Sequence, residues 1–261
     1  MWALRATLML TAAGLVAYAG QRAVALVAGL EAFHVANIDV RGNQRLSTGE
    51  VRGLMDGLVG RSILAVDLEE WRRAILNSPW VADASLRKRL PSTIDVVILE
   101  RSPLGIGRIN GLLYLVDDRG TVIDEYGPNY ADFDLPIIDG LSSAPGQESS
   151  DVYRAMLARR LLEALRGQNM ADQISEIDVR DARNAVVLLE GDPTLIRLGS
   201  ERFVERLRSY HELAPTLREQ VPAIDYVDLR FDERVYVGPG KSIPARRSRE
   251  APPVKKLGAR S

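Results

Sequence analysis

The chain has 261 residues, with 34 lysines and arginines against 35 aspartates and glutamates and a hydrophobic fraction of 46%, enough for one large domain or two small ones. It contains no cysteine and two histidines, His34 and His211, which excludes disulfides, thiolate metal sites and thiol nucleophiles and leaves little for imidazole catalysis. The near-neutral charge hides a partition: residues 241–261 hold seven basic residues against Glu250 alone, or +6, so the first 240 carry −7. A nucleic-acid module shows the opposite, a basic folded face.

From Trp2 to Gly20 the one charged residue is Arg5. Such a stretch, at about 1.5 Å per residue, reaches roughly 28 Å, close to the hydrocarbon thickness of a bilayer. A second apolar patch, Ala23 to Leu30, follows Gln21-Arg22. Two readings stay open: an uncleaved transmembrane anchor, which is the expectation adopted, and a secretory signal cleaved after the A-x-A-like Ala17-Tyr18-Ala19. Both export the rest of the chain.

Ala36, Ile38 and Val40 alternate with Asn37, Asp39 and Arg41 before Gly42-Asn43, which predicts a strand and a turn. Ser47 with Glu50 three residues on makes a capping box, and Val51, Leu54, Met55 and Leu58 form the apolar stripe of the helix it opens. A second helix starts at Asp67, with Glu69 and Glu70 in its first turn and Leu68, Trp71 and Ile75 on one face; Asn77-Ser78-Pro79 stops it. Alternating runs at 82–90 and 93–98 are strands joined by Leu90-Pro91-Ser92. The order strand, helix, helix, strand, strand makes a small sheet with two helices on one face.

After Pro103 the pattern is mostly strands. Leu112 to Val116 and Thr121 to Asp124 flank the hairpin turn Asp117-Asp118-Arg119-Gly120. Residues 139–150 read as a loop. Tyr153, Met156, Leu157, Leu161, Ala164 and Leu165 mark a helix ending near Gly167. Strands follow at Ile174–Val179, Ala185–Leu189 and Thr194–Leu198. Ser200 is expected to cap a helix carrying Phe203, Val204, Leu207 and Tyr210, which Pro215 closes within a turn or two. The last pair is Ile224–Phe231 and Arg234–Val237, joined by Asp232-Glu233, and from Pro239 onward the composition predicts a disordered basic tail.

No constellation of catalytic groups assembles. Gly238-Pro239-Gly240-Lys241-Ser242 carries the end of a phosphate loop, but Val235 stands where that loop needs glycine and Pro244 where it needs helix. Asp117 and Asp118 are adjacent residues of a turn and do not converge on one bond. His34 and His211 lack partners at ligand spacing and read as surface residues. What remains is a binding surface. Val227, Leu229 and Phe231 alternate with Tyr226, Asp228 and Arg230, placing the two sets on opposite faces of one strand. If the final strand lies at the sheet edge, its free N–H and C=O groups are a template for another chain. Equally, Arg234-Val235-Tyr236-Val237 merely finishes the fold, and spacing alone leaves both readings open.

Gly42-Asn43, the run from Val66-Asp67-Leu68 through Trp71-Arg72-Arg73 to Pro79-Trp80-Val81, Leu90-Pro91-Ser92-Thr93, Glu100-Arg101-Ser102-Pro103, Val116-Asp117-x-x-Gly120, Leu135-Pro136-Ile137-Ile138-Asp139-Gly140 and Val227-Asp228-Leu229-Arg230-Phe231 together resemble the FtsQ/DivIB bacterial cell-division proteins. The resemblance runs in order from about residue 34 to 238. It implies an α+β protein: a short cytoplasmic head and transmembrane helix (1–33), a β-α-α-β-β POTRA domain (34–103), then a mainly antiparallel β domain with flanking helices (104–238), and the tail (239–261). It further implies a single-pass inner-membrane protein at the division septum, with its C-terminal domains periplasmic or extracellular. The implied role is that of a divisome scaffold that is not an enzyme, with no cofactor, metal, nucleic acid or small-molecule substrate. Recruitment of the FtsB–FtsL pair by strand addition is implied at Arg230, Phe231, Asp232, Glu233, Arg234, Val235, Tyr236 and Val237, with Leu213 on the preceding helix. Arg234 stands where the family often has a small residue, and Pro239 where it often has an aromatic one. The alternative is a POTRA-containing periplasmic module of an outer-membrane assembly or secretion system. That protein would need a long array of barrel strands, whereas residues 150–219 carry two helices.

Overall fold

The structure, a computed structural model, describes Met9 and residues 12–22, 31–142, 148–221, 223–231 and 234–240. The expected membrane span falls partly outside these residues. Residues 12–22 are helical, and among the described residues no helix is long and apolar enough to cross a membrane. Asp232, Glu233 and tail residues 241–261 also lie outside. The chain forms two compact units, Met1–Phe133 and Asp134–Ser261.

The first unit opens with β1 (Asn37–Arg41), α1 (Thr48–Gly53), α2 (Leu68–Leu76), β2 (Val81–Arg89) and β3 (Thr93–Glu100). The strands lie in the order β1-β3-β2. Strand β1 runs parallel to β3, with Ile38 opposite Ile94 and Val40 opposite Val96, and β2 runs antiparallel to it. The capping box at Ser47 is formed as expected, and Asp67 caps α2 through the Glu69 amide. Helix α1 is shorter than its apolar stripe, because the chain passes into turns before positive-φ Gly57 and Gly60, but Val51, Met55 and Leu58 still point into the core. They pack there with Ile38, Trp71, Ile75, Ile94, Val96 and Ile98.

From this small sheet the chain continues into a separate meander of β4 (Gly105–Ile109), β5 (Leu112–Val116) and β6 (Val122–Glu125), antiparallel throughout. Glu100 fixes the turn after β1 within the small sheet's part, and Arg101, Arg45 and Trp80 make the contacts that tie that part to the segment beyond. The Glu100 carboxylate accepts the backbone amides of Gln44, Arg45 and Leu46 at 2.9 to 3.2 Å. Arg101 meets the buried Asp117 at 2.5 Å, and Asp117 also accepts the amides of Arg119 and Thr121, so it shapes the turn as expected. Arg45 lies 4.0 Å over the Phe133 ring, and Trp80 and Tyr130 are 5.8 Å apart. These contacts explain why the first unit runs to Phe133.

The second unit holds β7 (Ile137–Asp139), α3 (Glu148–Arg166), β8 (Ile174–Asp178), β9 (Ala185–Leu189), β10 (Asp192–Gly199), α4 (Phe203–Gln220), β11 (Ile224–Phe231) and β12 (Arg234–Pro239). Here the strands lie in the order β12-β11-β10-β9-β8-β7. Two neighbouring pairs, β7–β8 and β10–β11, are parallel, and each is joined through one helix, as a parallel connection requires. Helices α3 and α4 pack against each other and against the sheet. The face they cover carries Ile177, Val187, Ile196 and Val227, all fully buried.

Three local expectations are corrected. Helix α4 is capped by Arg202 in the left-handed region with no side-chain cap, not by Ser200; the Ser200 carbonyl instead accepts Arg160 at 2.8 Å. Pro215 lies inside α4. The carbonyl it leaves without a helical donor is that of exposed His211, where water can serve. Pro239 is still in β12, opposite Ile224, and the Gly240 amide bonds to the Ala223 carbonyl.

Candidate functional site: the C-terminal sheet edge

Strand β12 ends the strand order of the second unit and pairs with β11. After Ile224 opposite Pro239 and a first shift, its register runs with Tyr226 opposite Gly238, Val227 opposite Val237 and Asp228 opposite Tyr236. Between Asp228 and Phe231 it slips by one residue, so that Phe231 faces Arg234. Directly opposed residues share a face, so the extra residue on β11 turns Phe231 over. Phe231 therefore leaves the face of Val227 and Leu229, where alternation had placed it, and joins Tyr236. The two rings meet edge to face at 5.1 Å and 74°, and 51% and 47% of the respective residues stay exposed. Val235 beside them is also exposed.

Behind this pair the side chains are tightly tied. Asp228 is buried and accepts the Arg230 Nε at 2.9 Å, its Nη2 at 2.6 Å and its backbone amide at 3.1 Å. Arg197, on β10 opposite Asp228, approaches the same carboxylate at 3.8 Å and lies 4.0 Å over the Tyr226 ring. Burial works against ionisation of Asp228, but the Arg230 hydrogen bonds and the two guanidinium charges outweigh it and hold the carboxyl below its ordinary range. The same hydrogen bonds push Arg230 up. Arg206 of α4 braces the end of β11: its Nη1 donates to the Leu198 and Glu201 carbonyls and its Nη2 to that of Arg230 at 3.2 Å. Gly238 lets the Tyr226 ring lie over the strand, since a Cβ there would overlap it.

The structure thus brings Arg230, Phe231, Arg234, Val235, Tyr236 and Val237 together at one sheet margin. Asp232 and Glu233 lie outside the described residues. Leu213 is half-buried on α4, which packs on the face opposite Phe231 and Tyr236. Residues the sequence reading missed are Asp228, Arg197 and Arg206. The Asp-x-Arg spacing of 228 and 230 is a legible signal, because i and i+2 share a strand face.

The two units are thus a three-stranded sheet with two helices, followed by a meander, and a helix-backed sheet whose last strand ends the strand order. The sequence matches the POTRA domain, FtsQ-type, over residues 33–101 and the Cell division protein FtsQ/DivIB, C-terminal, over residues 107–230. The chain belongs to the FtsQ/DivIB family. It is 29% identical to "Cell division protein FtsQ" of Koribacter versatilis over 84% of this chain and 63% of that protein. It is 27% identical to the FtsQ of Syntrophotalea carbinolica over 90% of this chain and 84% of that protein. With the FtsQ of an Anaeromyxobacter species it shares 31% identity over 70% of this chain and 63% of that protein. The chain therefore spans about three fifths of the length of the Koribacter and Anaeromyxobacter relatives. The solved extracytoplasmic domain of DivIB from Geobacillus stearothermophilus aligns at 13% identity and a TM-score of 0.28, over 47% of this chain and 98% of that one, a likeness too slight to argue from.

Proposed function

We propose that this protein is a non-enzymatic scaffold of the division machinery. In this reading a single N-terminal span holds it in the inner membrane at the septum, with both units on the outer side, and it recruits an FtsB–FtsL-type pair by strand addition to β12. The observation that carries the reading is the place of β12 at the end of the strand order. A strand in that position keeps one row of N–H and C=O groups for a partner backbone. Phe231 and Tyr236 add what backbone pairing lacks, two half-exposed aromatic rings of the kind that dominate interface energetics. Arg230 enters with a changed role. Its guanidinium is taken up by Asp228, so it stiffens the strand end from which Phe231 projects.

The test is co-purification of FtsB–FtsL with the full chain. Phe231→Ala together with Tyr236→Ala is expected to weaken binding by at least about 30-fold while leaving the circular dichroism and unfolding midpoint near the parent's. Unchanged affinity would remove the proposal.

A further inference from the structure

Residues 33–36 are gripped from two sides. The Val35 amide donates to the Arg61 carbonyl at 2.9 Å, the Gly60 amide to the Val35 carbonyl at 2.9 Å, and the Ile63 amide to the Phe33 carbonyl at 2.8 Å. From the other side the Ser92 carbonyl accepts the amides of Ala36 and Asn37 at 2.8 and 3.2 Å. The turns at 57–66 and the tip of the β2–β3 hairpin therefore lie at the end of the first unit where the chain arrives from its apolar N-terminal residues.

That end carries three apolar side chains held out of the core: Val59, Leu64 and Leu90, 59%, 40% and 57% exposed. Their sequence neighbours Leu58 and Ile63 are fully buried, so the same turns both fill the core and present apolar tips outward. Two cations stand among them. Lys88 Nζ rests on the Leu64 carbonyl at 3.2 Å and Arg61 Nε on the Gly57 carbonyl at 3.0 Å, both side chains exposed. Glu31 and Asp56 are exposed at the same end, so the two cations and the apolar tips must act together in any docking here.

We propose that this end of the first unit rests on the bilayer that receives the N-terminal segment, with Val59, Leu64 and Leu90 at headgroup depth and Arg61 and Lys88 reaching lipid phosphates. The proposal depends on the membrane residence proposed above. Chain length supports it: the apolar patch ends at Leu30, and the residues from there to Val35 extend at most about 18 Å. An apolar tip flanked by long cationic side chains suits the interface, since the stems stay apolar while the charged heads reach phosphate.

The chain has no native cysteine, so one fluorophore can be placed at will. The full chain is reconstituted in vesicles of phosphatidylcholine and phosphatidylglycerol doped with nitroxide-labelled lipid, carrying either Leu90→Cys or Leu99→Cys. Leu99 is exposed at the far end of the same hairpin, opposite Asp83. Quenching is expected to be several-fold stronger at 90 than at 99, and Arg61→Gln with Lys88→Gln is expected to lower the docked-to-undocked ratio roughly 30-fold. Equal quenching at both positions overturns the docking and leaves the anchor standing. Quenching at 90 that survives the double substitution overturns it in favour of mere tethering. A chain that fails to float with vesicles after alkaline extraction overturns the membrane reading and this inference together.

Discussion

Arg230 closes on Asp228 with both arms of its guanidinium, at 2.9 and 2.6 Å, two residues along the same strand. The pair sits where β11 slips register, and the Arg230 carbonyl is held in turn by Arg206. Arg230 is thereby bound within the chain, and a charge reversal there would set a second carboxylate against buried Asp228. Loss of partner binding in Arg230→Glu would then report local unfolding as readily as a lost contact. Phe231 and Tyr236, which touch each other, are the cleaner probes.

Removing Arg230 leaves Asp228 with Arg197 at 3.8 Å. Because Arg230 is partly solvated, Arg230→Ala is expected to destabilise by about 1–2 kcal/mol, below the range for a fully buried pair. Asp228 has its carboxyl lowered in the folded state, so its stabilisation is full above the ordinary carboxylate pKa of about 4 and is lost as pH falls through the lower folded value. Urea unfolding across that window should show a shallower acid loss in Asp228→Asn than in the parent.

A second buried carboxylate ties α4 to the start of β10. Asp192 accepts the Tyr210 hydroxyl at 2.5 Å, Arg218 at 2.8 Å and the Thr194 amide at 3.0 Å. Burial raises the Tyr210 hydroxyl, helped by that carboxylate, while Asp192 is held low because its three donors outweigh its own burial. Tyr210→Phe is expected to cost about 1–2 kcal/mol at neutral pH, and Arg218→Ala, whose side chain is mostly exposed, less than about 1 kcal/mol. The Tyr210→Phe deficit should shrink as pH falls below the ordinary carboxylate range into the lower range where folded Asp192 protonates. Denaturant midpoints at two pH values check both.

Local signals with a physical partner nearby were legible in the sequence. Ser47 and Glu50 cap α1 through each other, and Asp117 organises its own turn. Signals that depend on the neighbouring strand were not. Phe231 keeps perfect alternation with Val227 and Leu229, yet the slip against β12 turns it to the other face. Strand β4, with Gly105 and Gly107 in five residues, has too little side chain to register a period. Pro215 reads as a stop, but the tertiary packing of Tyr210 and Ala214 carries α4 through it. The parallel pairs were hidden because a sequence shows helices between strands, not which strands they reunite.

Two glycines separate backbone conformation from space. Gly42 and Gly57 both have positive φ, +85° and +83°. A Cβ at Gly42 would overlap the Ile98 carbonyl oxygen, whereas Gly57 opens on empty space. Gly57→Ala is expected to cost about 1 kcal/mol for conformation alone. Gly42→Ala should cost about 3 kcal/mol or more, since β3 must shift to admit it. Thermal unfolding of the two variants should differ by many degrees; equal midpoints would mean that the Gly42 turn and β3 are not in contact.

The family resemblance implies one interface for Leu213 and Phe231; the two lie on opposite faces of the second unit's sheet. Leu213 is half-buried on α4, beside buried Ala214, so Leu213→Ala is expected to lower stability by about 1–2 kcal/mol, less than a full core truncation, and, under the proposed strand addition to β12, to leave affinity for the proposed FtsB–FtsL-type partner unchanged. Phe231 is half exposed, so Phe231→Ala should lower stability by less than about 1 kcal/mol. Its effect on affinity should be about 2 kcal/mol or more. Urea titration and binding isotherms on the same two variants give a crossed pattern if β12 and its aromatic pair form the contact. If Leu213→Ala weakens binding as much as Phe231→Ala does, the partner also grips the helical face and the edge is only part of the site.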